Sequence, residues 1–271
     1  MRKILLVVIS ILISYNLYSD NYPTGASSLG MGNATVAVPS LWSTFHNQGA
    51  LGFLEGIQVG MYYENRFDVP EFGVKSLAFA MNTKPGTFAL DFTSFGFSKF
   101  SDNKVGFAYS MKLAEYLAIG VQIDYIYIVQ DSYYGNISTV SGEIGIFANP
   151  FDNFYLGAHV FNPWRSKVAQ YQDERLPTIF RLGFAYDFSE IVKFSSEIEK
   201  DLDYAAMFKS GIQYEPVKNF TLRTGVSFSE KNTFLAFGIG YAFKGVTLDL
   251  AFENHPVLGF KSGVSLMYRI K

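Results

Sequence analysis

The residues best suited to acid–base or metal chemistry are few and scattered in this 271-residue sequence. Its three histidines, His46, His159 and His255, lack the short spacings that metal-ligand motifs use. Cysteine is absent, which excludes thiolate chemistry and disulfides. No Gly-Xaa-Ser-Xaa-Gly elbow, phosphate loop or dinucleotide fingerprint occurs. We therefore predict no enzyme activity, no cofactor and no bound metal.

Charged residues recur within segments that alternate between apolar and polar positions. In residues 178–188 every second side chain is apolar, and Arg181 and Asp187 fall on the opposite face. Residues 246–253 alternate in the same way. A two-residue period places successive side chains on opposite sides of a β-sheet. Carboxylates on such a wall are typical of ion pairs more than of a general acid and base.

This alternation continues from residue 57 to the end of the chain and predicts about fourteen strands, most of them about ten residues long. Their expected bounds are 57–67, 74–82, 87–97, 104–114, 117–129, 138–149, 153–162, 178–188, 191–200, 206–215, 219–229, 232–242, 245–254 and 258–270. We expect tight connections after even-numbered strands and longer ones after odd-numbered strands, such as 68–73, 98–103, 130–137 and 163–177. Short periplasmic turns and longer external loops are typical of outer-membrane barrels.

The composition favours an all-β fold, a single antiparallel transmembrane β-barrel, over soluble alternatives. The chain contains 27 Phe and 18 Tyr, more aromatic surface than a soluble β-sandwich could easily bury. A propeller would show a repeat of blade length, which is absent. The net charge of −2 gives no electrostatic basis for binding nucleic acid. Both signs of charge occur on the predicted inner face, so a neutralised lumen is favoured over an ion-selective pore.

The first residues resemble a secretory signal. Arg2 and Lys3 precede an apolar run, and small or polar residues surround the expected cleavage after Ser19. The predicted organisation is a signal peptide (1–19), an N-terminal hatch (20–56) and a barrel (57–271) in the bacterial outer membrane.

Residues 20–56 do not alternate and are rich in small side chains, which allow a backbone to pack closely against a wall. Residues 25–37 include Gly30-Met31-Gly32, and residues 42–52 include Asn47-Gln48-Gly49-Ala50-Leu51. These stretches resemble the N-terminal hatch of FadL-type outer-membrane barrels, with Gln48 where proline is common. The likeness is closer to the PorV/PorQ group of that superfamily, from Bacteroidetes-type bacteria, which is linked to type IX secretion.

The resemblance implies a lumenal hatch inside a fourteen-stranded barrel. FadL-type proteins carry hydrophobic compounds inward, whereas PorV-like proteins act as partners of secreted cargo. The residues expected to plug or gate the lumen are Gly30, Met31, Gly32, Trp42, His46, Asn47, Gln48 and Leu51.

The longest external connection, residues 163–177, is the second candidate site. It contains Trp164, Arg165, Tyr171 and Arg175, residue types that are favoured at protein interfaces. The same residues also fit an aromatic belt beside a solvated loop.

Two hypotheses for function follow. The first is a non-catalytic, secretion-associated protein, PorV/PorQ-like, that displays this loop to another envelope or secreted protein. The second is a FadL-like transporter of hydrophobic small molecules. A general porin is a weaker third. Outer-membrane lipid surrounds the barrel in each.

Overall fold

A computed structural model describes residues 22–130, 135–168, 175–230 and 232–270 of the chain; the predicted signal peptide lies outside them. Its fourteen strands form one closed antiparallel barrel in which sequence neighbours pair and β14 pairs with β1. They are β1 (Ile57–Arg66), β2 (Val69–Thr83), β3 (Gly86–Phe97), β4 (Phe100–Ala114), β5 (Leu117–Val129), β6 (Ile137–Phe151), β7 (Phe154–Phe161), β8 (Ile179–Ser189), β9 (Val192–Asp201), β10 (Met207–Val217), β11 (Phe220–Phe228), β12 (Thr233–Phe243), β13 (Val246–His255) and β14 (Gly259–Ile270). The predicted fold class is confirmed.

The outward side chains of the wall are large and apolar. Leu182 is 60% exposed, and Ile123 and Phe237 are each 58% exposed. Their polar neighbours along the strands, such as Arg181 and Asp124, are buried inside the barrel. So continuous an apolar surface is unfavourable in water and matches the lipid-facing belt of a membrane barrel. The chain is an outer-membrane protein.

The six connections at one end of the barrel are all two residues long: 84–85, 115–116, 152–153, 190–191, 218–219 and 244–245. Asn153, Asn219 and Lys244 adopt positive φ there, as tight hairpin turns require. These are the predicted short turns, and they mark the periplasmic end.

Two external connections are shorter than the sequence predicts. Strands β1 and β2 are joined by residues 67–68, and β3 and β4 by residues 98–99. Phe67 (φ 61°) and Asp68 (φ 55°) form a turn whose twist continues the hairpin, so β2 extends to 15 residues. The predicted loops 68–73 and 98–103 are therefore wrong. Phenylalanine seldom marks a turn like that at 67–68, and at 98–99 the pairing of Phe97 with Phe100 extends both strands to a two-residue turn.

Residues 22–56 precede β1 and lie inside the barrel; we call them the lumenal segment. They form α1 (Ala26–Gly30), α2 (Ser43–His46) and a 3-10 helix (Gln48–Phe53). None of the described helices is long and apolar enough to cross a membrane. Helix α1 packs against β11–β14, and the 3-10 helix packs against β3–β7. Helices this short depend on such packing for their stability.

Candidate functional site

Wall glycines make room for the backbone of the lumenal segment. A β-carbon added to Gly225 would lie 2.1 Å from the amide nitrogen of Gly32, and one added to Gly120 would lie 2.4 Å from the carbonyl of Gln48. Such distances are far below van der Waals contact. The segment therefore fits because side chains are missing from the wall at these points.

Apolar side chains of the segment pack on small wall residues. Trp42, Leu41 and Leu51 are almost fully buried and belong to one cluster with the wall residues Ala78 and Ala108. Alanines on the wall leave the lumen wide enough for these larger side chains. This cluster is the hydrophobic part of the attachment.

The segment is also tied to the wall by buried polar contacts. Gln48 Nε2 donates to Glu143 Oε2 at 2.7 Å. Asn47 Nδ2 donates to the carbonyl of Ile146 at 2.9 Å and, within the segment, to that of Val36 at 2.7 Å. Buried polar groups are costly unless they are paired, so these bonds specify one position of the segment.

A carboxylate on β9 holds two consecutive amides of the segment. Glu197 Oε2 accepts from Thr35 N at 3.0 Å and from Val36 N at 2.9 Å. Its second oxygen faces Lys209 Nζ at 3.1 Å. Hydrogen bonds to a charged acceptor are about twice as strong as neutral ones, which makes Glu197 a strong anchor.

We expect Glu197→Gln to loosen this anchor. The amide keeps one acceptor oxygen but loses the charge, and a hydrogen bond to a charged group is worth about 1 kcal/mol more than a neutral one. Hydrogen exchange at the Thr35 and Val36 amides should become roughly tenfold faster. Glu215→Gln is the control, since among the described residues its carboxylate accepts only from Asn219 N, near a periplasmic turn. Equal exchange in the two variants would contradict the prediction.

His46 is buried within the segment and neutral. Its Nε2 lies 2.8 Å from the carbonyl oxygen of Thr24, so Nε2 carries the proton and donates. Burial first, and then the nearby Arg181 guanidinium, lower the pKa of His46 to about 3.

Attachment of the segment should therefore weaken in acid. Below about pH 6.5 the free segment takes up a proton on His46, whereas the packed segment does not. The free energy that holds the segment in place therefore decreases as the pH falls, by about 2 kcal/mol at pH 5. Protease cleavage within residues 22–56 at pH 7.5 and pH 5 measures this loss. His46→Gln retains a donor for Thr24 and should remove most of the acid sensitivity; an unchanged pH dependence would count against the assignment.

Two cavities lie on opposite sides of the segment. The external one, about 310 Å³, is lined by Ile179, Met207, Phe234 and the charged side chains of Glu253 and Lys261, among others. The periplasmic one, about 640 Å³, lies between segment residues 39–41 and 53–55 and the strands β1 and β12–β14. No group of three or more His, Cys, Asp or Glu suited to a metal ion occurs among the described residues.

Several solved structures share this architecture. The Ralstonia pickettii toluene transporter TbuX superposes with a TM-score of 0.74 at 13% identity over 95% of this chain and 100% of that chain. The CymD monoaromatic hydrocarbon channel gives 0.72 at 12% identity over 91% and 97%. A Pseudomonas aeruginosa FadL homologue gives 0.70 at 12% identity over 92% and 99%. The chain has the fold of a FadL-type outer-membrane barrel.

No protein-family model and no curated protein matches the sequence. At 12–13% identity the likeness to FadL-type barrels establishes the fold alone. Of the three structures, CymD is described as a channel and TbuX as a transporter. The closer likeness to the PorV/PorQ group and the link to type IX secretion receive no support from these comparisons.

The residues predicted to plug or gate the lumen all lie in the lumenal segment. Gly30, Met31 and Gly32 approach β10–β12, and Trp42, His46, Asn47, Gln48 and Leu51 are buried. Sequence reasoning missed their partners on the wall, Glu143, Arg181 and Glu197, as contacts of this segment. The one indication in the sequence is the strand alternation, which places these three side chains on the inner face of the barrel.

The predicted partner loop is described in part. Trp164 is 57% exposed, and Arg175 donates from Nη1 to the carbonyl of Arg165 at 3.2 Å. Tyr171 lies outside the described residues. Leu176 of the loop is buried and packs with the lumen-facing side chains Ile126 and Phe161, so this end of the loop lies in the mouth of the lumen.

Proposed function

We propose that this protein is a channel for a small, largely apolar molecule across the outer membrane, opened by movement of the lumenal segment. The observation that carries the proposal is the pair of cavities on either side of that segment. Both face the strands β1, β12, β13 and β14. The toluene transporter TbuX and the hydrocarbon channel CymD, with the same fold, support this class of substrate.

The external cavity is of a size that suits a small ligand. Ligand sites of about 300–1,000 Å³ hold drug-sized molecules, so about 310 Å³ lies at the lower end. Its aliphatic and aromatic side chains supply apolar contact, and most of the charged groups around them are paired, as Lys261 Nζ is with Glu253 Oε1 at 2.7 Å. Paired charges present less cost to an apolar molecule than free ones.

The two cavities are separated along the wall, on β14 by the residues between Lys261 and Met267. On their shared wall, the Arg223 Nη1–Asp249 Oδ1 ion pair, 2.6 Å long, lies between Ser227 in the external cavity and Asn219 in the periplasmic one. Helix α1 packs over this part of the wall, close to Gly238. Displacement of α1 from β11–β14 would join the cavities.

A reversible cross-link tests whether the segment must move. Thr24 Oγ1 and Ser76 Oγ are 3.4 Å apart, and the chain has no cysteine, so Thr24→Cys/Ser76→Cys should form one disulfide between the segment and β2. We expect the oxidised protein to lose toluene uptake in proteoliposomes and the reduced protein to regain it.

Ser196→Cys/Ser210→Cys is the matched control. These hydroxyl oxygens are 3.1 Å apart on β9 and β10, so the disulfide joins two wall strands and leaves the segment free. Uptake should be the same in its oxidised and reduced forms. Continued uptake by the oxidised Thr24–Ser76 variant would refute opening by this segment.

A secretion-associated display role, similar to that of PorV/PorQ proteins, is the second candidate. The exposed Trp164 on the external loop favours it, because tryptophan is enriched at binding hot spots. Mass spectrometry of the protein purified from its native membrane would detect a stoichiometric protein partner. Loss of that partner on replacement of residues 163–177 would place this role ahead of transport.

A further inference from the structure

Two polar side chains, Asn33 from the lumenal segment and Ser227 from β11, line the external cavity. The segment and the strand touch at this level, because a β-carbon added to Gly32 would lie 3.0 Å from Val226 N. Asn33 follows Gly32 in the chain, and Ser227 follows Val226. The segment and the wall therefore each place one polar side chain in the same part of the cavity.

The end of helix α1 sets the position of Asn33. Gly32 N donates to Leu29 O at 3.0 Å, and Asn33 N donates to Ser28 O at 2.8 Å, which is the hydrogen-bond pattern of a Schellman cap. Gly32 and Asn33 both have positive φ, 63° and 59°. This cap uses the backbone amide of Asn33 and leaves its side chain for other contacts.

Neither polar side chain has a hydrogen-bond partner within the part of the chain that the structure describes. Ser227 is 4% exposed, and Asn33 is half-buried. A hydroxyl can donate and accept, and a side-chain amide has two donors and one acceptor. Buried groups of this kind normally have partners, so we expect a molecule bound in the cavity to supply them.

The charges around the cavity favour a neutral molecule over an anion. Each cation of the described lining already has a carboxylate partner: Lys209 pairs with Glu197 and Glu199, Lys261 with Glu253, and Arg66 with Glu64. Asp201 adds a further carboxylate, which accepts from Asp203 N at 2.9 Å in the β9–β10 connection. A ligand carboxylate would have to compete with these partners, whereas a neutral ligand leaves the pairs intact.

A hydrocarbon would fill only the apolar part of this cavity. Ile179, Met207 and Phe234 supply apolar contact, but none of them can pair with the Ser227 hydroxyl or the Asn33 amide. A site that hydrogen-bonds a ligand hydroxyl discriminates against the analogue that lacks it, because the polar groups of the site are then left unpaired. A single hydroxyl could accept from one of the two side chains and donate to the other.

We propose that the molecule carried by this channel is a neutral compound of about one ring with a hydroxyl group, and that Ser227 and Asn33 bind that hydroxyl. The inference rests on the channel function proposed above and names its substrate class. Ser227 belongs to the wall, and Asn33 directly follows the cap of α1. The bound hydroxyl therefore bridges the barrel and the segment whose movement opens the channel.

Benzyl alcohol and toluene, which differ by one hydroxyl group, test this substrate class. Calorimetric titration of the full-length protein in detergent with each compound gives the ratio of the two dissociation constants. Ser227→Ala removes the hydroxyl, and Asn33→Gly removes the amide while keeping a residue that adopts positive φ without strain. We expect each variant to weaken benzyl alcohol binding by about tenfold and to change toluene binding by less than about twofold.

Ser265→Ala is the matched control. Ser265 is 1% exposed and its hydroxyl also lacks a partner among the described residues, but it does not line the external cavity. It should leave the ratio unchanged, and heat-modifiable mobility on gels confirms that each variant is folded. The inference is overturned if the ratio is the same in wild type, Ser227→Ala and Asn33→Gly, if Ser265→Ala changes it equally, or if benzylamine or benzoate binds more tightly than benzyl alcohol.

The cross-link experiment separates this inference from the channel function. An unchanged ratio, together with uptake that the Thr24–Ser76 disulfide blocks, would overturn the substrate class and leave the channel function standing. A ratio that shifts in both variants, together with uptake that the disulfide does not block, would support the bound hydroxyl and refute opening by the segment.

Discussion

A chain lacking residues 25–54 is expected to conduct ions, whereas the intact chain holds its lumen closed. The described part of this stretch fills the barrel from β3–β7 on one side to β11–β14 on the other. Barrels of about eight strands are filled by their own side chains, and those of 16–18 strands leave an aqueous channel. A fourteen-stranded barrel whose wall facing the segment is lined by glycine and alanine should behave like the larger class.

Planar-bilayer recordings would show discrete conductance steps for the deleted chain and none for the intact one. Liposome swelling by small sugars should rise by at least roughly tenfold. Replacement of residues 169–174 with a short linker is the control, because it leaves in place Val168 and Leu176, which pack with the lumen-facing Ile126 and Phe161. Absence of steps from a deleted chain that still shows heat-modifiable mobility would mean that other residues close the pore.

Gly225→Val is expected to expel the lumenal segment from its position. The new β-carbon would lie 2.1 Å from Gly32 N and 2.2 Å from Met31 C, and backbone atoms cannot rotate away as a side chain can. Overpacking usually costs about 1–3 kcal/mol, and more where the surroundings cannot relax. We therefore expect the fraction of molecules with a protected segment to fall by about tenfold or more.

Limited proteolysis within residues 22–56, with the barrel monitored by gel mobility, measures this fraction. Thr224→Val is the matched control, since it places the same side chain on the adjacent, lipid-facing position of β11. Its effect should stay within about 0.5 kcal/mol. A protected segment in Gly225→Val would mean that the wall yields instead.

The strands were predictable because each one carries its own signal. In β8 the exposed Phe180, Leu182 and Phe184 alternate with buried or half-buried residues, as the two-residue period requires. The β1–β2 turn was not predictable, because Phe67 and Asp68 lack the Asn-Gly type of signal. Whether a turn closes there depends on pairing across the hairpin more than on the turn residues.

The candidate site was predictable on one side only. The small residues of the lumenal segment indicate close packing. Its partners on the wall are not indicated, because a contact such as that between Glu197 and Thr35 joins residues 162 positions apart in sequence. The wall glycines that contact the segment could not be predicted either. Gly120 and Gly225 lie against it because of strand register and barrel diameter, and no local sequence pattern indicates the register or the diameter.

The pairing of β1 with β14 also sets the order in which the molecule can assemble. Every other strand pair joins sequence neighbours, whereas Ile57 pairs with Ile270 although nearly the whole barrel sequence lies between them. Loop-closure entropy therefore makes this seam the slowest contact to form. The lumenal segment leads directly into β1, so it arrives at the lumen together with one edge of the seam. We expect the segment to be enclosed by the last step of barrel closure, not threaded into a finished cylinder.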